Sequence, residues 1–211
     1  ISLITCYSNY KKLVKQKKTS GVTHAIALDN KINILNNDIK CGEDYLFRYI
    51  ENETIDLIYI LNTGFESLKY IDHIIKYQKH STIAVANKEV LVAGGKLLID
   101  KILLSGNNFL PLDSEHFSLI DLLPKRNSIK KKVLKIYLTA SGGPFYFDQN
   151  FSINTISIKQ ATSHPIWKMG FKNSIDSSNL VNKVLECFEL SSLYDIPLSK
   201  IGITISPKAF A

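Results

Sequence analysis

The sequence predicts an α/β protein built on a parallel sheet, and three observations carry that expectation. Short apolar runs alternate with longer amphipathic ones through the first half of the chain. The runs are four to seven residues long, the length of strands buried on both faces. The segments between them repeat their apolar residues at helical spacing, which is the signature of βαβ units. In order, residues 1–6 read as a strand, Ser8-Asn9 as a turn and 11–18 as a helix. Residues 24–28 form a second apolar run, 43–50 a helix, and 55–61 (IDLIYIL) a buried strand. A helix opens at Gly64 and runs to about Lys79, with Leu68, Ile71, Ile74 and Ile75 on one face. Another buried strand follows at 82–86, a helix from Glu89 to about Leu104, and a strand over 107–112 that ends in PLDSEH.

The second half is richer in polar loops, so an α+β segment follows the boundary near residues 110–113. Residues 124–132 (PKRNSIKKK) read as a basic surface loop. A strand over 133–139 runs straight into ASGGPF, and 149–160 is polar with a short helix. The loop ATSHPIWKMG carries Pro165 and the only tryptophan. A helix over 176–193 and a strand over 201–205 complete the order.

Composition removes several function classes. The 211 residues carry 26 Lys and Arg against 19 Asp and Glu, a net charge of +7. Only Arg48 and Arg126 are arginines, and arginine is the side chain that forks onto phosphates and stacks on bases. A nucleic-acid partner is therefore not expected, and the lysine excess reads as coding bias. No apolar run approaches the ~20 residues of a membrane-spanning helix. Cys6, Cys41 and Cys187 are too few and too scattered for a disulfide framework or a zinc site, which fits a reducing, cytoplasmic setting.

Five stretches hold chemistry. Asp113 and Glu115 flank Ser114 directly after a strand. If they stay extended, both carboxylates point to one side, and such a pair repels unless a cation lies between. Oxygen donors of this kind suit Mg²⁺ or Mn²⁺, although a polar turn with surface carboxylates reads equally well. In the helix over 176–193, Ser177 and Ser178 fall in the first turn, where free N–H groups favour an anion. Asn182 and Glu186 share a face four residues apart, beside Lys183; a solvated helix face accounts for the same pattern. Ser141-Gly142-Gly143 follows a strand, where glycines let the backbone approach a phosphate or simply make a turn. His164, Trp167, Met169 and Gly170 lie in one loop, a candidate lid. Asn87, Lys88 and Glu89 stand at a strand's carboxyl end, where open α/β sheets bind ligands.

Taken in order, ANKE at 86–89, LPLDSEH at 110–116, LTASGGPF at 138–145, HPIWKMG at 164–170 and IDSSNLVNKVLE at 175–186 closely resemble one family. It is the 1-deoxy-D-xylulose 5-phosphate reductoisomerases, NADPH- and divalent-metal-dependent enzymes of isoprenoid precursor synthesis. The resemblance implies a Rossmann-like NADPH-binding domain over 1–112 and a catalytic domain over 113–211. It implies metal ligands Asp113, Glu115 and Glu186, with Mg²⁺, Mn²⁺ or Co²⁺ as the ion. Substrate contacts would be Lys88, Ser114, Glu115, Ser141, His164, Trp167, Ser177, Asn182, Lys183 and Glu186. Of these, Lys88, Glu115 and His164 would act at the reacting centre. Cofactor contacts would be Asn9, Asn87, Glu89, Met169 and Gly170. A phosphosugar substrate and a homodimer are further implications.

The chain also departs from the family pattern. Ser178, Asn179, Leu180, Val181 and Val184 replace the middle of the usual helix motif, and Val184 is expected to press on its neighbours. Ser163 stands where a basic residue is common, and Ser206 where a histidine is common. The family's glycine loop is expected upstream of Ile1 and its helical domain downstream of Ala211. A second reading keeps the chain as a non-catalytic module that binds metal and phosphosugar or only dimerises.

Overall fold

A computed structural model describes residues 1–31, 38–123, 129, 132–146, 152–166 and 170–206. Most of the basic stretch over 124–132, the start of the polar segment over 149–160, and Trp167 and Met169 lie outside the described residues. The chain forms two compact units, Ile1–Asp56 with Lys69–Ser81 and Leu57–Leu68 with Thr82–Ala211.

In the first unit, β1 (Leu3–Cys6), β2 (His24–Ala27) and β3 (Lys40–Cys41) form a parallel sheet in that order. The register pairs Cys6 with Ala27 and Ala27 with Cys41. Helix α1 (Tyr10–Ser20) starts because the Asn9 side chain accepts from the Lys12 amide at 3.2 Å. It stops at Gly21, whose φ of 64° is the left-handed conformation that glycine tolerates. Leu13 on its inner face packs with Ala25, Ala27 and Ile39. Helix α2 (Glu43–Asn52) follows β3, a strand of two residues too short to leave a period in the sequence.

In the second unit, β4 (Leu57–Ile60), β5 (Thr82–Val85) and β6 (Asn108–Pro111) form a second parallel sheet in sequence order. Helix α3 (Ser67–Tyr77), whose residues from Lys69 on belong to the first unit, lies between β4 and β5 in sequence, and α4 (Lys88–Leu104) lies between β5 and β6. The 55–61 strand is shorter than expected and half open: Leu57 is 44% and Tyr59 55% exposed, since β4 is an edge strand. The helix expected from Gly64 begins at Ser67 instead. The intervening loop is fixed by Asn87, whose Nδ2 donates to the Asn62 and Gly64 carbonyls at 2.6 Å each. Helix α5 (Ser114–Leu122) then follows β6 at once.

Farther on come β7 (Ile136–Ala140), the short α6 (Ile158–Ala161), α7 (Phe171–Ser178), α8 (Val181–Tyr194) and β8 (Ile201–Ile205). The strands β7 and β8 pair in parallel, and the Ser206 amide extends the ladder to the Ala140 carbonyl. Ile136, Leu138, Leu190, Ile196 and Ile129 form the core under them. Every strand pair among the described residues is parallel, as the alternation of runs predicts.

The single helix expected over 176–193 is two helices. It breaks at Asn179 and Leu180, where Leu180 takes a φ of 64°. The Asn179 side chain accepts from the Val181 amide and so restarts the chain as α8, the competition that short polar side chains offer to a continuous helix. Ser177 and Ser178 therefore close α7 rather than open a helix, and the first turn of α8 belongs to Val181, Asn182 and Lys183. Val184 is 44% exposed, so its added methyls meet solvent rather than press on a neighbour.

Candidate metal and anion site

Neighbouring parallel strands place the first two charged groups. β5 and β6 run in register with Val85 opposite Pro111, so the residues just past their carboxyl ends stand side by side. Asn87 caps α4, its Oδ1 accepting from the Val90 amide, and Lys88 is the first helical residue. Asp113 caps α5, and Glu115 lies in that helix's first turn. The pair is thus brought together by a helix start, not by the extended chain the alternation suggested. Helix α8 packs along α4 and turns Asn182, Lys183 and Glu186 toward the same place.

The carboxylates of Asp113, Glu115 and Glu186 offer oxygens that all lie within 4.8 Å of one another. Two lysines thread between them. Lys88 Nζ lies 2.8 Å from Asp113, 3.1 Å from Glu186 and 2.9 Å from Asn182 Oδ1. Lys183 Nζ lies 2.7 Å from Glu115 and 2.6 Å from Glu186. The second Glu186 oxygen meets Lys183 as an ion pair but without hydrogen-bond alignment. Lysine here occupies the space between carboxylates that would otherwise repel.

The electrostatics follow from that crowding. Burial opposes charge on Lys88, but the Asp113 and Glu186 carboxylates override it and hold the ammonium above its ordinary pKa. Burial likewise opposes charge on Asp113, and the His116 hydrogen bond and Lys88 override it, holding the carboxyl well below the usual range. Glu186 is pushed up, first by burial and then by Glu115. Lys183 loses by burial and gains more from Glu186 and Glu115, so it too stays charged.

Beneath the triad lie two residues with no part in the expected site, His116 and Glu189, both fully buried. His116 Nε2 donates to the Glu186 carbonyl at 3.0 Å, which directs Nδ1 to Asp113 Oδ1 at 3.2 Å. Glu189 Oε2 lies 3.6 Å from the same Nδ1, and neither Glu189 oxygen has a hydrogen bond. The sequence signal was available in LECFEL, where a glutamate one turn beyond Glu186 interrupts an apolar face. Burial above all pushes the Glu189 carboxyl up to about 8, from an ordinary value of 4.5. A raised acid pKa stabilises the fold through the bound proton, so that contribution is full below about pH 4.5 and fades as pH climbs to 8. The elevated pKa of His116 acts in the same direction. Without divalent metal, stability is therefore expected to fall between pH 5 and 8. Glu189→Gln should flatten that decline in urea titrations at the two pH values, and an unchanged slope would refute the account.

The second loop stands beside α7. Ser141 Oγ lies 3.0 Å from His164 Nε2, while His164 Nδ1 accepts from the Ile166 amide. That fixes the tautomer, with Nε2–H donating to the serine. Burial holds the imidazole below its ordinary pKa, so it is neutral at pH 7. Gly143 has a φ of 74°, and a Cβ there would come within 2.7 Å of the Ser177 carbonyl. The glycine loop and the end of α7 thus touch through a contact that only glycine permits. Gly170 caps α7. Lys172 on that helix bridges Asp176 and Glu89 at 2.6 Å each, a contact absent from the expected set. Ser114 donates to Glu115 at 2.6 Å. Among the expected positions that are described, Asn9 alone belongs to the first unit, where it caps α1.

Fold and site together define an α/β protein with an oxygen-donor, lysine-lined centre at a parallel sheet's carboxyl edge. Residues 109–194 match the family model described as the 1-deoxy-D-xylulose 5-phosphate reductoisomerase C-terminal domain. The reductoisomerase of Pelagibacter ubique is 38% identical over 100% of this chain and 55% of its own length. That of Thermoanaerobacter pseudethanolicus is 34% identical over 98% and 54%. Among solved structures, the Zymomonas mobilis enzyme in complex with NADPH superposes with a TM-score of 0.81 at 32% identity, covering 98% of this chain and 54% of that one. A reductoisomerase bound to NADPH, fosmidomycin and magnesium superposes at 0.84 with 29% identity, again over 98% and 54%. Nearly the whole chain is thus similar to 1-deoxy-D-xylulose 5-phosphate reductoisomerases, and it spans about half the length of the curated relatives it matches.

Proposed function

We propose that this chain carries the metal-binding and substrate-binding machinery of an NADPH-dependent reductoisomerase. The reaction is conversion of 1-deoxy-D-xylulose 5-phosphate to 2-C-methyl-D-erythritol 4-phosphate by a cytoplasmic homodimer. The observation that carries this reading is the convergence of the Asp113, Glu115 and Glu186 carboxylates. Three carboxylates without sulfur are a hard donor set, which fits Mg²⁺ or Mn²⁺. When bound, the ion supplies Lewis-acid polarisation of the sugar's oxygens and NADPH supplies a hydride.

The remaining tasks fall to side chains. Lys88 and Lys183 neutralise the carboxylates, and a divalent ion held by the carboxylates would leave both ammonium groups to the substrate. Ser141, Ser177, Asn182 and Lys183 would hold its phosphate, with Gly143 keeping the first two segments in contact. That grip lies away from the bonds that change, so its energy serves orientation. His164, neutral and donating through Nε2, would turn that proton from Ser141 to a substrate oxygen, with Ser114 and Trp167 completing the contacts. Asn87, Glu89, Met169 and Gly170 would border the nicotinamide. Asn87 serves there by fixing the loop over 62–67, since its side chain is committed to that backbone. Asn9 and the rest of 1–112 would form the NADPH-binding part, and 113–211 the catalytic part.

The test is to follow NADPH absorbance in the intact gene product supplied with Mn²⁺ and 1-deoxy-D-xylulose 5-phosphate. Consumption that requires both supports the reading. Mn²⁺ and phosphosugar binding without NADPH consumption would instead establish a non-catalytic binding module.

A further inference from the structure

We propose that His116, backed by Glu189, is a positioning residue that sets the spacing of two of the three carboxylate ligands. The proposal rests on the metal reading above and adds a residue to it. The carboxylates come from separate elements: Asp113 and Glu115 from the start of α5, Glu186 from α8. Something must hold α8 in register against α5, because an ion tolerates little error in ligand spacing. One side chain reaches both. His116 Nδ1 meets Asp113 Oδ1 at 3.2 Å, and Nε2 meets the Glu186 main-chain oxygen at 3.0 Å.

The geometry distinguishes this residue from ordinary core. Its ring is fully buried, yet both nitrogens are spent on residues that supply metal ligands. Asp113 is held from two sides, Oδ1 by His116 and Oδ2 by Lys88, so its carboxylate plane is fixed. If a cation draws Lys88 away, His116 still holds the Asp113 carboxylate through Oδ1. Glu189 lies one turn beyond Glu186 on α8, and its Oε2 is 3.6 Å from the same ring nitrogen. A buried carboxyl group with no hydrogen bond of its own is expensive to keep, and its place behind the ring assigns it the task of orienting that ring.

The experiment titrates Mn²⁺ alone into the intact protein, reading free ion by electron paramagnetic resonance with no cofactor or sugar present. His116→Gln keeps a donor near the Glu186 carbonyl, and His116→Asn keeps one near Asp113. Each should weaken the Mn²⁺ Kd by about 10- to 100-fold, the range for residues that orient metal ligands. Leu190→Ala is the control, since Leu190 is fully buried on the same helix and belongs to the apolar core with Ile136, Leu138 and Ile196. It should lower the melting temperature while leaving the Kd within about threefold of the parent, well short of the change expected at His116. The proposal is overturned if the His116 variants bind Mn²⁺ like the parent, or if Leu190→Ala weakens binding as much as they do. Should neither His116 variant fold, Glu189→Gln gives the same reading with the shape kept: a several-fold weaker Kd supports it and an unchanged one overturns it. A parent protein that binds no Mn²⁺ would overturn the metal reading itself, a separate outcome.

Discussion

Glu186→Gln is expected to remove divalent-metal binding and metal-dependent turnover while the protein stays folded. The two halves of that result have different causes. Metal binding loses one of three anionic donors, and amide oxygen is a poor replacement for a carboxylate beside two others. The effect should exceed the 10- to 100-fold cost of disturbing a residue behind the ligands, so a rise of more than about 100-fold in the Mn²⁺ Kd is expected. Turnover should fall by roughly a thousandfold or more, since Lewis-acid stabilisation is worth several kcal/mol and 1.36 kcal/mol is a factor of ten.

Stability should barely change, and the reason lies in the charge count. Asp113, Glu115 and Glu186 oppose Lys88 and Lys183, three negative charges against two positive. Removing Glu186's charge leaves two against two, with Lys88 still on Asp113 and Lys183 still on Glu115. Glu186 is also the carboxyl that burial and Glu115 push toward its neutral form, so its ionisation is already disfavoured. A melting temperature within a few degrees of the parent, together with lost Mn²⁺ binding, is the expected pair. Full activity at ordinary Mn²⁺ would show that the triad is not the metal site.

The same arrangement explains which parts of the molecule could be read from the chain. Parallel order was legible because strands buried between helices leave continuous apolar runs, as TIAV does at β5. Asp113, Glu115, Lys88 and Glu186 were legible as motifs; the first three meet because β5 and β6 lie side by side, and Glu186 joins them through the packing of α8 on α4. The break at Leu180 was not legible, because a leucine in the left-handed conformation carries no sequence mark and SSNL reads as an ordinary first turn. Its consequence reaches the site: the first turn of α8 holds Asn182 and Lys183, while Ser177 stands at the end of another helix. His116 and Glu189 were missed for a different reason. A lone histidine beside a motif, and a glutamate in an apolar face, acquire meaning only when tertiary packing buries them against the ligands. Helix α5 went unnoticed because SEHFSLIDL mixes polar and apolar residues with little periodicity.

Lys88→Met should be the most destabilising single change in this site, and divalent metal should undo much of it. Methionine matches the lysine stem, so packing along α4 survives and the loss is electrostatic. Without the ammonium, Asp113 loses its ion-pair partner on Oδ2 and Glu186 keeps only Lys183, three carboxylates facing one cation. Breaking a buried ion pair by removing one partner costs about 3–5 kcal/mol, because the survivor stays charged in a poor environment. For a chain of this size that corresponds to a drop of roughly 10 °C in melting temperature in EDTA. The acid side should respond as well. Asp113 in the parent is held well below the usual carboxylate range, so its contribution is present above about pH 4 and lost as pH falls further. In the variant the part due to Lys88 goes while the part due to His116 stays, so stability should fall less steeply on acidification. Mn²⁺ then enters a site with one less competing cation. Its stabilisation follows RT ln(1 + [L]/Kd), so the metal-induced rise in melting temperature should be larger in Lys88→Met than in the parent. Turnover should remain lost even in the Mn²⁺-loaded variant, because the ammonium proposed to meet the substrate is gone. Equal metal-induced shifts in the two proteins would mean that lysine and metal do not share the space between these carboxylates.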